Sequence, residues 1–211
     1  MFTGLTLGQG LIEARTPAPG GLALTIRPDF AWEEPLSLGE SVAVSGVCLT
    51  VETLNPPAFT SFASQETLAR STLGVVTRVN LERALKLSDR LGGHLVSGHV
   101  EGRGRLTRAR PLGRGLELEF YLPQELAALT VAKGSIAVDG VSLTVSLVGP
   151  NSFTVNLIPA TLARTTLAEL TPGQEVNLET DLLAKYVQKL LNKSGPTEGL
   201  TLEKLAAAGF L

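Results

Sequence analysis

The stretch SIAVDGVSLTV, residues 135–145, repeats almost letter for letter the stretch SVAVSGVCLTV, residues 41–51. The two copies lie 94 residues apart, and the later copy has Ser142 where the earlier one has Cys48. A repeat of this length at a fixed spacing is stronger evidence of architecture than any local pattern, because a repeated unit folds in the same way each time. These two stretches therefore predict that the chain contains one fold twice.

Further matches on either side of this pair follow the same offset. Near the end of the repeat the offset grows from 94 to 97 residues, so the second copy carries about three extra residues around ELTPGQ, residues 169–174. Chance does not produce ordered matches of this kind, and the chain is interpreted as a tandem duplication. The other matched segments are MFTGLTLGQG (1–10) with LVSGHVEGRG (95–104), GLALTI (21–26) with GLELEF (115–120), TLARSTL (67–73) with TLARTTL (161–167), and VNLE (79–82) with VNLE (176–179).

Each copy has the pattern of a β-rich domain. Apolar and polar residues alternate in segments such as LALTI and VAVSGVCLTV, which are also rich in strand-favouring Val, Ile and Thr. Glycine and proline interrupt these segments every 8–12 residues or so, which is typical of a small antiparallel barrel or sandwich. The repeated glycines fit either corners of such a fold or a close approach of the backbone to a ligand. These glycines are Gly4 with Gly98, Gly8 with Gly102, and Gly10 with Gly104.

The pattern changes after the second copy. Apolar residues recur at helical spacing in TDLLAKYVQKLL, residues 180–191, which predicts an amphipathic helix. Its apolar stripe needs a partner, either the chain's own fold or a neighbouring subunit. Residues 192–199 indicate a linker, and a second short helix ending at Gly209 follows it. The stripe consists of Leu182, Leu183, Tyr186, Val187, Leu190 and Leu191.

Composition excludes several classes of protein. The chain has 18 Lys and Arg against 20 Asp and Glu, so no strong field draws it to nucleic acid or to an anionic membrane. Its single cysteine forms no internal disulfide, and no apolar run approaches the 18 or so residues of a membrane span. The first ten residues lack the features of a signal peptide. We expect a soluble, cytoplasmic protein that binds neither nucleic acid nor membranes.

The common cofactor and metal motifs are also missing. There is no phosphate-binding glycine loop and no dinucleotide fingerprint between a strand and a helix. The two histidines, His94 and His99, are five residues apart in an extended stretch, so alternation would point them to opposite faces. GVSLT lacks the final glycine of a serine nucleophile elbow. We therefore expect neither a metal nor a cofactor.

Taken together, these motifs resemble the riboflavin synthases, in the order found in that family and over about residues 1–187. The resemblance implies two six-stranded antiparallel β-barrels and a C-terminal helix that joins three chains. It implies domains at 1–94 and 95–180, each binding a lumazine, and a trimerising segment at 181–211. The motifs that carry it are MFTG, ESVAVSGVCLTV, ETLARSTL, VNLERAL, DRLGGHLVSGHVEG, KGSIAVDGVSLTV, LIPATLARTTL and VNLETD.

The reaction implied by the resemblance needs no cofactor. Two molecules of 6,7-dimethyl-8-ribityllumazine yield riboflavin and 5-amino-6-(ribitylamino)uracil, as a four-carbon unit passes from one to the other. The implied partners are this lumazine, two further copies of the chain in a homotrimer, and lumazine synthase. A duplicated fold suits the reaction, because two similar pockets facing each other remove the entropy cost of a bimolecular encounter.

The two substrate molecules act as donor and acceptor, so their pockets should differ. The copies do differ at three matched positions, where polar, proton-handling groups are concentrated in the second copy. We expect this asymmetry to assign the two roles, without indicating which half holds the donor. The differing pairs are Leu5 and His99, Cys48 and Ser142, and Ala84 and Asp181.

Catalytic roles are predicted for four residues. His99, with Ser142 and Asp181 as hydrogen-bonding partners, would handle protons and orient a nucleophile, since the lumazine 7-methyl group is acidic enough for a modest base. Cys48 lines the pocket, and the serine at its matched position argues against obligatory thiolate chemistry. His94 is interpreted as a core or turn residue that supports His99.

Substrate contacts are predicted from the same family motifs. Phe2 would pack against a ring, and Lys133 would contact the ring or the ribityl chain, unless it is simply a solvated lysine. The family usually has Asn where this chain has Ser45, and an acidic residue or His where it has Ala160. The full predicted set is Phe2, Gly4, Leu5, Thr6, Ser41, Cys48, Leu49, Thr50, Ala63, Ser64, Gln65, Glu66, Thr67, Gly98, His99, Val100, Lys133, Ser142, Leu143, Thr144, Leu157, Ile158, Pro159, Ala160, Thr161 and Leu162.

Two other classes of function fit the same pattern. Lumazine-binding antenna proteins have the same double barrel and hold a chromophore without converting it. They tend to lose the motifs of one half, whereas both halves keep them here, so the enzyme is the favoured interpretation. A purely structural repeat protein would bind no lumazine at all.

Overall fold

A computed structural model describes residues 1–192 and 202–209 of the chain, and most of the linker predicted at 192–199 lies outside these residues. The first copy forms a closed barrel of six antiparallel strands in the order β1-β2-β5-β4-β3-β6. A short helix, α1, Gln65–Arg70, connects its last two strands. The strands are β1 Gly8–Ala18, β2 Gly21–Pro28, β3 Ser41–Val44, β4 Val47–Asn55, β5 Ala58–Ser64 and β6 Arg78–Arg83.

The second copy forms a second closed barrel with the same cyclic strand order, β7-β8-β11-β10-β9-β12. The predicted fold class, two tandem six-stranded barrels with a C-terminal helix, is therefore confirmed. Its helices are α2 Gln124–Ala127 and α3 Pro159–Arg164, with a 3₁₀ helix at Thr166–Glu169. Its strands are β7 Gly102–Leu112, β8 Gly115–Tyr121, β9 Ser135–Val138, β10 Val141–Val148, β11 Ser152–Leu157 and β12 Glu175–Thr180.

The offset seen in the sequence is the offset between equivalent strands. The first five strands of the two barrels begin 94 residues apart, and the last strands, at Arg78 and Glu175, begin 97 apart. The three extra residues lie between α3 and β12, where the 3₁₀ helix stands. β-Bulges also recur at matched places, after Ile12 and Leu106. Such bulges bend a strand, which is how a narrow sheet closes on itself.

Apolar residues alternate along the strands, so their side chains point into each barrel and fill it with a separate hydrophobic core. Leu24, Ile26 and Phe59 are fully buried in the first barrel. In the second, Phe120 stacks on Phe153 with ring centroids 5.4 Å apart. Each barrel is therefore a packed core, and any ligand must bind at its rim or outer wall rather than inside it.

The barrels meet through two hairpin turns that face each other. Ser45–Gly46 and Asp139–Gly140 all have positive φ, as the type I′ turn requires. A Cβ on Gly46 would lie 2.7 Å from the Gly140 nitrogen, and one on Gly140 would lie 2.6 Å from the Gly46 nitrogen. This reciprocity indicates an approximate twofold axis between the turns, and glycine is needed there because the two backbones touch.

Two matched asparagines bind the barrels together across this axis. The Asn80 side-chain amide donates to the Asp139 carbonyl (2.9 Å), and the Asn177 amide donates to the Ser45 carbonyl (2.8 Å). Their oxygens accept from the backbone N–H groups of Thr166 (2.8 Å) and Thr72 (2.7 Å). Both asparagines are buried, and the nitrogen and oxygen of each amide both form a hydrogen bond, so these bonds favour one orientation of the two barrels.

Two helices follow the second barrel in the described part of the chain. Helix α4, Leu182–Asn192, confirms the amphipathic helix, and α5, Leu202–Ala207, is followed by Gly209 at positive φ. Of the two partners considered for the apolar stripe, the chain's own barrel does not cover it. Five of its six residues are more than half exposed, and these are Leu183, Tyr186, Val187, Leu190 and Leu191.

Candidate functional site

The segment that precedes each barrel crosses to the other barrel. Residues 1–7 lead into β1, yet the Gly4 carbonyl accepts from the backbone N–H of Ser142 on β10 (2.8 Å). Residues 95–101 lead into β7, yet the Gly98 carbonyl accepts from the N–H of Cys48 on β4 (2.8 Å). Phe2 and Val96 pair between the two segments, with N···O distances of 2.8 and 3.1 Å. Each barrel therefore receives part of its wall from the other half of the sequence.

Two repeated glycines make this crossing possible. Gly4 and Gly98 have φ of +74° and +83°, which side chains rarely adopt. A Cβ on Gly4 would lie 2.5 Å from the Ser142 Cβ, and a Cβ on Gly98 would lie 2.6 Å from the Cys48 Cβ. At these two positions the glycine serves a close approach of backbones, and what it approaches is the other barrel.

The first pocket lies where the second half's segment meets β4 and α1. It is a cavity of about 230 Å³ whose walls bring together Cys48, Glu66, Thr67, Arg70 and His99. His99 is exposed, Cys48 is half-buried, and Arg70 forms an ion pair with Glu66 (3.3 Å). The pocket therefore combines a thiol, an imidazole and a carboxylate, of which the imidazole comes from the other half of the chain.

Ser142 stands where the second barrel matches Cys48, and we name its surroundings the second pocket from this match with the first. The polar groups around Ser142 differ from those around Cys48. The Ser142 hydroxyl lies 2.7 Å from Nδ1 of His94, and the His94 backbone N–H donates to the Thr3 carbonyl (3.1 Å). Nε2 of His94 is buried without a hydrogen-bond partner among the described residues. Burial lowers the pKa of His94 below its ordinary value of 6.5, against the opposing effect of the Asp181 and Glu179 carboxylates. This lowered pKa favours the neutral imidazole of His94 at pH 7.

The structure regroups the residues for which catalytic roles are predicted. The expected partnership of His99 with Ser142 and Asp181 is not formed, because the crossing of residues 95–101 carries His99 to the first pocket. The Ser142 hydroxyl lies beside His94 instead, and His94 is buried, as expected of a core residue, whereas its support of His99 stays a prediction. Asp181 is close enough to His94 to influence its pKa, and its Oδ1 accepts from the Leu183 N–H (2.9 Å) at the start of α4.

Phe2 and Lys133 lie away from the pocket walls. Phe2 is completely buried between the barrels with Ala43, Val96 and Ala137, so it supports the crossing segments rather than presenting a ring to a ligand. Lys133 is exposed in a turn with positive φ and does not line the first pocket.

The remaining predicted contacts fall into three groups by exposure. Thr50 and Thr144 are exposed at equivalent places on β4 and β10, where each can reach a ligand lying on its barrel. Exposed with them are Leu5, Gln65, Glu66, Ile158, Pro159 and Ala160. Half-buried are Ser41, Ser64, Thr67, Val100, Thr161 and Leu162, whereas Gly4, Thr6, Leu49, Ala63, Gly98, Leu143 and Leu157 are buried.

Sequence reasoning missed Glu82 and Glu179 as site residues. They end the repeated VNLE segments and are buried, with 7% and 2% of their surfaces exposed. The sequence does repeat a glutamate inside an apolar strand. This repeat could have indicated a role for the residue, because a buried carboxylate requires hydrogen-bond partners.

Residues 1–192 and 202–209 contain no cluster of three or more potential metal ligands. Within those same ranges, no helix is long and apolar enough to cross a lipid bilayer.

Comparison with known proteins identifies the class of domain first. A family model described as the lumazine binding domain matches the chain twice, at residues 3–84 and 97–181. A solved structure of LumP complexed with riboflavin has the same fold, with a TM-score of 0.77 over 85% of this chain and 99% of that chain, at 22% identity.

Relatives of known function then identify the family within this class of domain. The riboflavin synthase of Mycobacterium tuberculosis strain H37Rv is 43% identical over 202 residues, covering 92% of this chain and all of that protein. The riboflavin synthase of Bacillus subtilis strain 168 is 39% identical over 216 residues, covering both chains completely. The chain belongs to the riboflavin synthase family of lumazine-binding proteins.

Proposed function

We propose that the protein is a riboflavin synthase, a transferase that dismutates two molecules of 6,7-dimethyl-8-ribityllumazine. The products are riboflavin and 5-amino-6-(ribitylamino)uracil. The observation that carries the proposal is the match to the riboflavin synthases of Mycobacterium tuberculosis and Bacillus subtilis, which are 43% and 39% identical over 92% and 100% of this chain.

The two unlike pockets support this function on physical grounds. Dismutation of one compound requires two binding sites of similar shape, because both substrates are the same molecule. It also requires different chemistry at each site, because one molecule gives up four carbons and the other receives them. The twofold relation of the barrels provides the first requirement, and the Cys48–His99 and Ser142–His94 pairs provide the second.

Proton transfer is assigned to the second pocket. Because His94 is neutral, its Nδ1 can accept a hydrogen bond from the Ser142 hydroxyl, in which case the ring hydrogen is on Nε2. Ser142 then becomes a better proton acceptor toward a bound lumazine, and an acidic methyl group needs only a modest base. In the first pocket, the exposed His99 can reach a ligand directly, with Cys48 beneath it.

We further propose that the chain acts as a homotrimer in the cytoplasm. The uncovered apolar face of α4 supports an assembly, since an exposed stripe of this size needs a partner. In this proposal residues 1–94 and 95–180 are the lumazine-binding domains, and residues 181–211 join the three copies. Pockets of different chains would then face each other, and association with lumazine synthase would bring the substrate to them.

Incubation with 6,7-dimethyl-8-ribityllumazine tests the activity. Absorbance should show loss of lumazine and formation of one riboflavin for every two lumazines consumed. Lumazine that binds and stays unchanged would indicate an antenna protein instead. No change in lumazine fluorescence on mixing would indicate a structural protein, and either result would refute the proposed enzyme.

A further inference from the structure

Two buried glutamates occupy matched positions next to the crossing segments. Glu82 is near the end of β6 and Glu179 is near the end of β12. None of the ion pairs formed by the described residues includes either glutamate. A buried carboxylate is costly unless hydrogen bonds replace its water, so these two require strong local donors.

The donors are supplied by the crossing segments, in the same pattern twice. One oxygen of Glu179 accepts from the Ser97 N–H (2.7 Å) and the Ser97 hydroxyl (2.6 Å), and the other accepts from the Gly98 N–H (2.9 Å). Glu82 accepts in the same way from the Thr3 N–H (2.7 Å), the Thr3 hydroxyl (2.6 Å) and the Gly4 N–H (3.0 Å). Each carboxylate therefore holds a segment at the point where it crosses.

The bonds made by Glu179 lead directly to the first pocket. The Gly98 N–H donates to Glu179, while the Gly98 carbonyl accepts from the Cys48 N–H, so the peptide groups on both sides of Gly98 are held. His99 is the next residue, and its own N–H donates to the Ser97 hydroxyl (3.2 Å). The place of the His99 ring beside Cys48 thus depends on a carboxylate of the second barrel.

The bonds made by Glu82 lead to the second pocket. The Thr3 carbonyl accepts from the His94 N–H, and the Gly4 carbonyl accepts from the Ser142 N–H. His94 and Ser142 are the two partners of the imidazole–hydroxyl hydrogen bond in that pocket. Burial raises the pKa of Glu82, and its hydrogen bonds to the Thr3 segment oppose that rise, so the carboxylate relies on this segment.

We propose that Glu179 and Glu82 are positioning residues, each of which places one histidine in one pocket. Glu179 places His99 beside Cys48, and Glu82 places His94 beside Ser142. The consequence for turnover rests on the proposed function, whereas the consequence for the position of each histidine does not.

Glutamine is the informative substitution because it keeps the size of the side chain. Both oxygens of each glutamate face an N–H donor, so an amide must turn its NH₂ group toward one of them, whichever way it is oriented. The Glu179→Gln variant should therefore release residues 97–99, and the Glu82→Gln variant should release residues 3–4. Neither change should open the barrel cores, to which these side chains do not belong.

The chain contains only two histidines, so imidazole NMR signals report each pocket separately. His99→Gln and His94→Gln variants assign the two sets of signals. Spectra are recorded at pH 8, above the ordinary histidine pKa of about 6.5. Because the Glu179 charge also acts on His94, we expect Glu179→Gln to shift the His99 signals more than those of His94, and Glu82→Gln to do the reverse.

Activity supplies the second readout. In the Glu179→Gln variant turnover should fall by up to about 100-fold, a loss that misplacing a reacting group by about 1 Å can cause. Glu175→Gln, an exposed change on the same strand, is the matched control and should shift neither histidine. If Glu179→Gln does not fold by circular dichroism, Ser97→Ala tests the same bonds, and Ser97→Thr, which copies Thr3, should restore the His99 signals.

Three results would overturn the proposal. These are unchanged His99 signals in folded Glu179→Gln, equal shifts of both histidines in both variants, and full turnover in a variant whose His99 signals have moved. A wild-type protein that does not convert lumazine would refute the proposed function alone, since the histidine signals would still decide what the two glutamates position.

Discussion

Replacing Asp139 with serine should stabilise the protein above neutral pH and remove part of the pH dependence of its stability. Asp139 stands in the turn where the two barrels meet, is buried, and accepts one hydrogen bond, from the Asn177 N–H (2.8 Å). Burial raises the pKa of its carboxyl from 3.8 to about 7. Serine is the natural replacement because the matched residue of the first barrel is Ser45, which has a similar positive φ and accepts from the Asn80 N–H.

The size of the effect follows from the two pKa values. The folded protein holds the Asp139 proton more tightly than the unfolded chain does, so the stability contributed by this residue is fully present below pH 3.8. It is lost as the pH rises through about 7. At roughly 1.4 kcal/mol per pH unit, this loss amounts to about 4 kcal/mol between these limits. The Asp139→Ser variant should therefore be more stable than the wild type by up to about 4 kcal/mol at pH 8, and by much less at pH 4.5.

Urea unfolding of both proteins from pH 4.5 to pH 8 measures this difference. The quantity of interest is the wild type minus variant free energy of unfolding at each pH, because contributions from all other titrating groups cancel in it. The reciprocal variant Ser45→Asp places a second carboxyl at the matched position, and it should lose stability over the same pH range. A difference between wild type and Asp139→Ser that stays constant with pH would refute the reasoning.

Two further predictions concern the crossing segments and the assembly. Gly98→Ala should lower the free energy of unfolding by at least about 2 kcal/mol, because the residue has a positive φ and its Cβ would contact Cys48. The control Gly113→Ala, at positive φ in open space, should lower it by only about 1 kcal/mol. Thermal unfolding measures both differences. Leu190→Asp should reduce the molar mass measured by light scattering from three copies to one, while Lys189→Glu on the same helix leaves it unchanged. Equal losses for both glycines, or an unchanged mass for Leu190→Asp, would contradict these expectations.

Much of the fold could be predicted because the duplication is evident in the amino-acid sequence. The 94-residue offset aligns equivalent strands, and the step to 97 marks the connection that contains the extra 3₁₀ helix. Alternation identified the strands because each barrel wall has one side facing a core. The local pattern did not predict that the strands close into barrels, because it fits a sandwich equally well. That prediction rested on the resemblance of the motifs to a known family.

Which residues line each pocket could not be predicted in the same way. His99 and Ser142 belong to the same copy and were expected to act together, yet they lie in different pockets. The pattern of residues along a strand indicates which face a side chain takes, but not which of two similar barrels a preceding segment will join. Hydrogen bonds between residues far apart in the chain make that choice, such as those from Gly98 to Cys48 and to Glu179.

The amino-acid sequence by itself determined that this chain contains a β-rich unit twice and that an amphipathic helix follows the second copy. It also determined which residues differ between the copies. Only the tertiary structure decided which of those residues meet. The reason is that periodicity and repeat spacing arise from contacts within one barrel, whereas the crossing depends on contacts between barrels. At that junction two glycines allow the backbones to touch, and two buried glutamates accept hydrogen bonds from the segments that cross.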